Sequence, residues 1–126
     1  MSTPATLTAA TRAIDAVLAA LEAAGITATR DAGAFYPQPT GVLVGLPTLE
    51  GRGLSSRTFT VPVLVVSGDP LNVALAVDRV YALADDVALA LGVNTYRPSS
   101  YRSSVNAEPL PAIEILDTFT VPEQEA

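Results

Sequence analysis

The chain contains no His, no Cys, no Trp and no Lys, and all seven of its basic residues are Arg. Each absence removes a class of chemistry. Without Cys there are no disulfides and no thiolate metal sites. Without His the commonest general base and the commonest metal ligand are gone, which leaves carboxylates as the only strong metal ligands. Three Ser pairs (Ser55-Ser56, Ser99-Ser100, Ser103-Ser104) offer hydroxyls, but no His or Lys is present to activate one as a nucleophile. Long apolar runs are missing too: the longest are a few residues, far short of the ~20 that a spanning helix needs. The first residues, Met1-Ser2-Thr3-Pro4, lack the basic region and apolar block of a signal peptide, so synthesis in the cytoplasm is expected.

Positive charge is scarce as well. Thirteen acids against seven Arg leave a formal net charge of −6. Such a surface repels nucleic-acid phosphates and anionic lipids, so neither sequence-specific nucleic acid nor a membrane is expected as a partner. What the chain has in quantity is apolar material, 49% of 126 residues. That length suits one domain over 1–126, burying about two thirds of its unfolded surface around one core. The composition points to packing and assembly before catalysis.

Two helices stand out. Residues 4–24 repeat Leu7, Ala10, Ile14, Val17, Leu18 and Leu21 at the spacing of one helical face. Thr3 with Pro4 provides a start, and Gly25 a left-handed stop. The other face reads as mostly Ala (Ala9, Ala13, Ala16, Ala19, Ala20, Ala23). High helix propensity accounts for it, and a smooth face for a close neighbour is the alternative. A second helix opens at Asp69-Pro70 and ends at Gly92. Its stripe is Val73, Val77, Val80, Tyr81, Ala84, Val87, Ala88 and Leu91. Opposite lie Asn72, Asp78, Arg79, Asp85 and Asp86, interrupted by Leu71, Leu75 and Leu89. Three leucines on one polar face hint at a second buried surface, with Leu75 expected to be more exposed than Val77 and Val80.

Between and after the helices the period changes to two. Ile26–Arg30 reads as a short strand, Gly41–Leu46 as another, and Thr58–Val66 as the clearest. In the last, Phe59, Val61, Val63 and Val65 share one face. Its C-terminal end is apolar on both faces, which predicts cover on both sides. Pro62 has no N–H, so its donor side is expected to face an edge or bulge. Asp31–Pro39 reads as loop. Pro47–Arg57, with two Gly and two Ser, reads as a mobile hairpin loop. A strand is plausible near Arg102–Ala107, and Ala112–Val121 is the final strand, alternating Ile113, Ile115 and Asp117 with Glu114, Leu116 and Thr118. Residues 122–126 form an acidic tail. The predicted fold is α+β, two main helices packed on one side of a mostly antiparallel sheet of about four or five strands.

The chemical motifs are weak. Asp85-Asp86 is the only adjacent acid pair, but neighbouring helical positions point about 100° apart and do not converge on one ion. Gly51-Arg52-Gly53 lacks the following Lys-Ser/Thr and the helix start of a phosphate loop. Tyr96-Arg97 and Tyr101-Arg102 repeat a pair enriched in interface hot spots; covering a core edge is the plainer reading. The sequence names no catalytic residue, no metal site and no cofactor.

The order of elements carries a resemblance. An amphipathic helix leads into strands. The Gly-rich stretch Pro47-Thr48-Leu49-Glu50-Gly51-Arg52-Gly53-Leu54 follows, then Arg57-Thr58-Phe59-Thr60-Val61-Pro62-Val63-Leu64-Val65-Val66. A helix opens at Asp69-Pro70 and Ile113-Glu114-Ile115 closes the sheet. From about Thr8 to Val121 this resembles the tail terminator (tail completion, or minor tail) proteins of long-tailed bacteriophages. The resemblance implies a non-enzymatic virion protein, assembled in the host cytoplasm, forming a hexameric ring at the tail–neck junction. Such a ring ends polymerisation of the tail tube and presents a surface for joining the head. The implied partners are further copies of the chain, the tail tube protein and head–tail connector proteins, with no cofactor. A neck or connector component, or a non-viral binding domain acting as monomer or dimer, is the alternative. The candidate contact residues are Leu71, Leu75 and Leu89 on the second helix, Arg52, Leu54 and Arg57 on the Gly-rich hairpin, and Tyr96, Arg97, Tyr101 and Arg102. Cyclic rings need two complementary patches per subunit, and the helix face and the hairpin are the two on offer.

Overall fold

Phe59, Val61, Val63 and Val65 form the line on which everything else packs. A computed structural model describes residues 9–31, 35, 37, 40–52, 56–68, 73–93, 96–102 and 110–122. Its elements run α1 (Ala9–Ala23), β1 (Thr40–Val44), β2 (Thr48–Arg52), β3 (Ser56–Ser67), α2 (Val73–Leu91), β4 (Tyr96–Tyr101) and β5 (Leu110–Pro122). The fold is α+β, with a five-stranded antiparallel sheet. The spatial order is β1-β3-β5-β4, and β2 also pairs with β3. β1 takes residues 63–67 of the β3 edge and β2 takes 57–60. The two short strands therefore share one long partner, end to end.

Both helices cover the same face. Ala13, Ile14, Val17 and Leu21 of α1 and Val80, Ala84, Val87 and Ala88 of α2 join Val61, Val63, Val65, Ile113 and Ile115 in one core. Leu21, Val17 and Ile115 are fully enclosed. Each helix ends as its Gly predicts. Gly25 and Gly92 hold φ of 79° and 71°. After α1, the Gly25 N–H donates to the Glu22 carbonyl at 2.9 Å and the Ile26 N–H to the Leu21 carbonyl at 2.9 Å. After α2, Val93 bonds back to Ala88 at 2.9 Å in the same way. These paired backward bonds satisfy carbonyls that the helix end leaves open.

Among the described residues, the back face of the sheet is covered at one end. There Val66, Leu110 and Ala112 are buried, packed by Phe35, Leu64 and Tyr101. Phe35 and Tyr101 meet edge to face with centroids 5.2 Å apart. A Cβ on Gly41 would lie 2.7 Å from Cε1 of Phe35 and 3.1 Å from the Pro37 backbone, so the covering segment sits where only hydrogen is tolerated. Cover on both sides of the C-terminal half of β3 is as the sequence predicts.

Several expectations are corrected. Ile26–Arg30 is not a strand; Thr29 makes a single parallel bridge to Leu43, through bonds to Val42 and Val44. Only one residue turns its backbone to the β1 edge, too short a run for a ladder. The segment 47–57, read as a mobile loop, contributes β2, whose Thr48–Arg52 pairs with β3 across a register shift between Leu49 and Gly51. Two Gly were compatible with a bulged ladder as well as with a loop. Tyr96–Tyr101, in a stretch read as irregular, forms β4, while the strand expected near Arg102–Ala107 lies, apart from Arg102, outside the described residues. Ala9 and Ala13, assigned to the outer face of the first helix, are buried in the core. Both belong to the one core cluster that the helices share with β3 and β5, so the buried stripe of α1 is wider than its large apolar residues alone suggest.

Pro62 is placed as its chemistry demands. It pairs with Leu116 on the β5 side, while its carbonyl accepts from the Gly45 N–H at 2.8 Å on the other. The N and O of one strand residue point the same way. Its missing donor therefore faces the gap where β1 has ended and β2 has not begun.

Candidate assembly surfaces

Among the described residues the large exposed apolar side chains are Leu46, Leu49, Tyr81, Leu89 and Leu116, and two regions stand out. Leu46, in the link between β1 and β2, is 85% exposed, and Leu49 on β2 is half exposed. They flank the β2–β3 hairpin, whose β3 strand stays paired with β5 out to Ser56 and Pro122. Neither helix is needed to place them: Pro47 interrupts the edge and turns the chain from one short strand to the next. On the back face Leu116 is also exposed, because β5 alternates and no element covers its outer residues there.

The second region surrounds Leu89, which is 84% exposed near the C-terminal end of α2. It borders an open groove of about 620 Å³ between α2, the end of α1 and the start of β1, lined by Leu83, Asp86, Ala90, Ile26 and Val42 among others. A second groove of about 660 Å³ adjoins it along α1, sharing Gly25, Ile26 and Thr27 and bordered by Asp15, Leu18 and Glu22. Asp78, Asp85 and Asp86 are all exposed on α2. Of these only Asp86 lines the groove, since Asp85 turns to Tyr96 on β4, at the sheet edge opposite β1. Asp15 also meets Arg30 at 3.6 Å, both about half exposed, a pair worth ~0–1 kcal/mol.

The two Tyr-Arg pairs separate in space. Five residues is an odd step, so Tyr96 and Tyr101 fall on opposite faces of β4. Tyr96 packs against the core edge, its ring 6.0 Å from Tyr81, and its hydroxyl donates to the Asp85 carboxylate. That bond, helped by burial and by the charge of Asp85, raises the Tyr96 pKa above the usual phenol value. Tyr101 belongs to the back-face cluster. Both tyrosines are thus used within the chain, which favours the plainer reading of them as covers. Arg97 reaches across to Glu114 on β5, with Nε at 2.8 Å and Nη2 at 2.6 Å from Oε1. The guanidinium remains mostly exposed, beside a small cleft formed with Tyr96 and Leu116. Arg102 is exposed just past β4, and Arg57 is half-buried on β3.

Other candidates lie outside the described residues: Leu71 and Leu54 altogether, and the side chains of Leu75, Val77 and Arg52. The expected contrast between Leu75 and Val77 falls there. Of the three helix leucines, Leu89 is the one whose exposure is described. Leu46, absent from the sequence candidates, was hidden by its position at the end of an apolar run. The signal was there in Pro47, since an apolar residue just before Pro at a strand end has no ladder to hold it.

One charged side chain, Asp117, is buried. Asp117 lies in phase with Ile113 and Ile115, so it faces the core, opposite Val61. It is 8% exposed, and among the described residues its Oδ2 has no hydrogen-bond partner. Burial raises its pKa, opposed in part by the Thr118 backbone N–H.

Among the described residues no group of acids is arranged to hold a metal, and no helix is long and apolar enough to cross a membrane. Comparison with protein-family models, with curated proteins and with solved structures finds no match for this chain.

Proposed function

We propose that this chain is a structural subunit that assembles into a ring on the end of a bacteriophage tail tube. There it ends tube polymerisation and offers the surface for head joining. The observation that carries the reading is the pair of strongly exposed leucines, Leu46 in the link between β1 and β2 and Leu89 beside the groove between α2 and β1. Isolated exposed leucines are ordinary. Two in different settings, one in the link between two edge strands and one at a groove, would supply the two unlike patches that a cyclic assembly requires. The resemblance in element order to tail terminators adds the tube end as the place of action. The lack of His, Cys and Lys costs nothing in such a role, which needs no turnover and no cofactor.

The net charge of −6 also supports it. A ring around a DNA passage functions better when its wall does not bind phosphate, so affinity for duplex DNA is expected to be negligible at physiological salt. The test is electron microscopy of tube polymerisation with and without the protein. Shorter tubes of uniform length, each capped by a ring, are expected. Tubes of unchanged length with bare ends would reject the terminator reading. A ring that binds connector protein but leaves tube length unchanged would favour a neck component. A monomer or dimer indifferent to tubes would favour a separate binding domain.

A further inference from the structure

We infer that neighbouring copies join edge to edge, with β2 of one copy added as a parallel strand to the open side of β5 in the next. This rests on the self-assembly reading above and names a backbone joint for it.

Backbone direction shows where the sheet is open. The N and O of a strand residue point the same way, and successive residues point to opposite neighbours. The Pro62 carbonyl accepts from the Gly45 N–H, so even-numbered residues of β3 turn to β1 and β2 and odd-numbered ones to β5. The β3–β5 register runs unbroken and pairs Val61 with Asp117 and Phe59 with Phe119. Leu116, Thr118 and Thr120 therefore turn their N–H and C=O away from β3. Among the described residues β4 pairs with Leu110 to Ile115 and reaches none of these three. On the other side Thr48 pairs with Thr60, and Leu49 turns its N–H and C=O outward. At this level the described sheet is three strands wide, β2-β3-β5, and open on both sides.

The open side of β5 differs from the edge of β4. Pro98 pairs with Ile113, whose backbone faces β3, so the donor that Pro98 lacks is on the outer side of β4. A proline there guards against strand addition. Leu116 to Thr120 holds no such guard, and Pro122 comes only beyond it. The one charge in the stretch, Asp117, is buried on the core side, so no charge meets an incoming strand.

A second copy is the occupant because its β2 matches in direction, level and face. β2 and β5 are both antiparallel to β3, so they run parallel to each other. Rotation about an axis along the strands preserves direction and level, and a cyclic neighbour therefore offers a parallel strand. Leu49 and Phe119 both pair with Phe59, which sets them at one level and on the core face. In a parallel ladder a residue bonds to the two residues that flank its neighbour. With Leu49 beside Phe119 of the next copy, the Leu49 N–H donates to the Thr118 carbonyl and the Leu49 carbonyl accepts from the Thr120 N–H. Leu49, 47% exposed, then covers the half-buried Phe119, and Thr48 lies beside Thr118 on the back face. A copy cannot pair with itself in this way, because β3 separates its β2 from its β5 by roughly 10 Å. Each copy has one edge of each kind, so the pairing propagates until the rotation closes a ring.

The chain has no Cys, so an engineered pair of thiols reports one contact. Thr48→Cys with Thr118→Cys changes two exposed sites. Within one copy they lie two strands apart, beyond the ~7 Å reach of a disulfide; across the joint they are neighbours. After oxidation, a denaturing gel without reductant should show a ladder of covalent oligomers for the double variant and none for either single variant. Thr48→Cys with Ser99→Cys, on the guarded β4 strand, should give no ladder. Circular dichroism checks folding. A second measurement needs no thiols. Thr120→Pro removes the donor on the open side and leaves the β3 ladder intact. It should weaken self-association at least about tenfold in light scattering after size exclusion, while Ser100→Pro on β4 leaves it unchanged. A wild type that assembles while the double variant gives no ladder overturns the edge joint and leaves the ring reading standing. A covalent dimer from Thr118→Cys alone also overturns it, since β5 then pairs with β5 across a two-fold axis. A wild type monomeric at every concentration, with and without tail tubes, overturns both.

Discussion

The two halves of β3 live in different surroundings although they belong to one strand. The C-terminal half lies between β1 and β5, with helices on one face and the Phe35–Tyr101 cover on the other. Val65, Val66 and Ser67 are fully enclosed there. The N-terminal half lies between β2 and β5 and alternates Phe59 with Thr58 and Thr60. The first half is a structural centre. The second carries the β2 hairpin, beside which Leu46 and Leu49 meet solvent. Burial is thus deepest at the C-terminal end of the strand, although Phe59 keeps the other end tied to the same core.

The largest effects test that division directly. Ile115→Ala, a fully enclosed side chain beside Val63, should cost ~2–5 kcal/mol in urea unfolding. Leu46→Ala should change the same measurement by no more than ~0.5 kcal/mol, as expected for an exposed site. Comparable losses at both positions would mean that the β1–β2 link is part of the core and the division is wrong.

Gly41→Ala tests the back cover. Its Cβ would press on Phe35 and on the Pro37 backbone, so the cover must shift, at ~1–3 kcal/mol. The matching readout is the near-ultraviolet signal of Phe35 and Tyr101, which should weaken while the helical signal stays. No loss of stability would show that the cover is loosely held and that the two halves differ less than their burial implies.

The smallest effect lies at the boundary, where Asp117 faces Val61. Its folded pKa is raised above the unfolded value of 3.8. The folded state then binds the proton more tightly than the unfolded state. Its favourable contribution is fully present below about pH 3.8 and is lost as pH rises through the raised folded value. Asp117→Asn should therefore flatten the stability–pH curve from pH 3.8 upward and be at least as stable as wild type at pH 7. If urea midpoints across that range show parallel curves for the two proteins, the carboxyl is better solvated than its burial indicates.

Local signals were legible where local chemistry decides. Asp69-Pro70 aside, which lies outside the described residues, Gly25 and Gly92 stopped their helices through left-handed backbone geometry that a single residue type prefers. The Phe59–Val65 and Ile113–Ile115 alternation placed core faces because strand period is fixed at two. Pro62 announced the gap beside it because it lacks a donor. The strand read at 26–30 was misplaced for the opposite reason. A short polar or mixed segment becomes a strand only if a partner edge is free beside it. Thr48–Arg52 and Tyr96–Tyr101 had such edges, and Ile26–Arg30 had room for one bridge.

What the sequence determined by itself is the fold class, the helix stops, the buried face of the central strands and the poverty of catalytic groups. Each of these follows from residue type and spacing along the chain. Tertiary structure alone decided that Ala9 and Ala13 are core, that Tyr96 and Tyr101 serve opposite faces, that Asp117 is enclosed, and that Leu46 and Leu89 are left in solvent. Burial depends on which elements lie over a residue, and that is set by packing among segments distant in sequence.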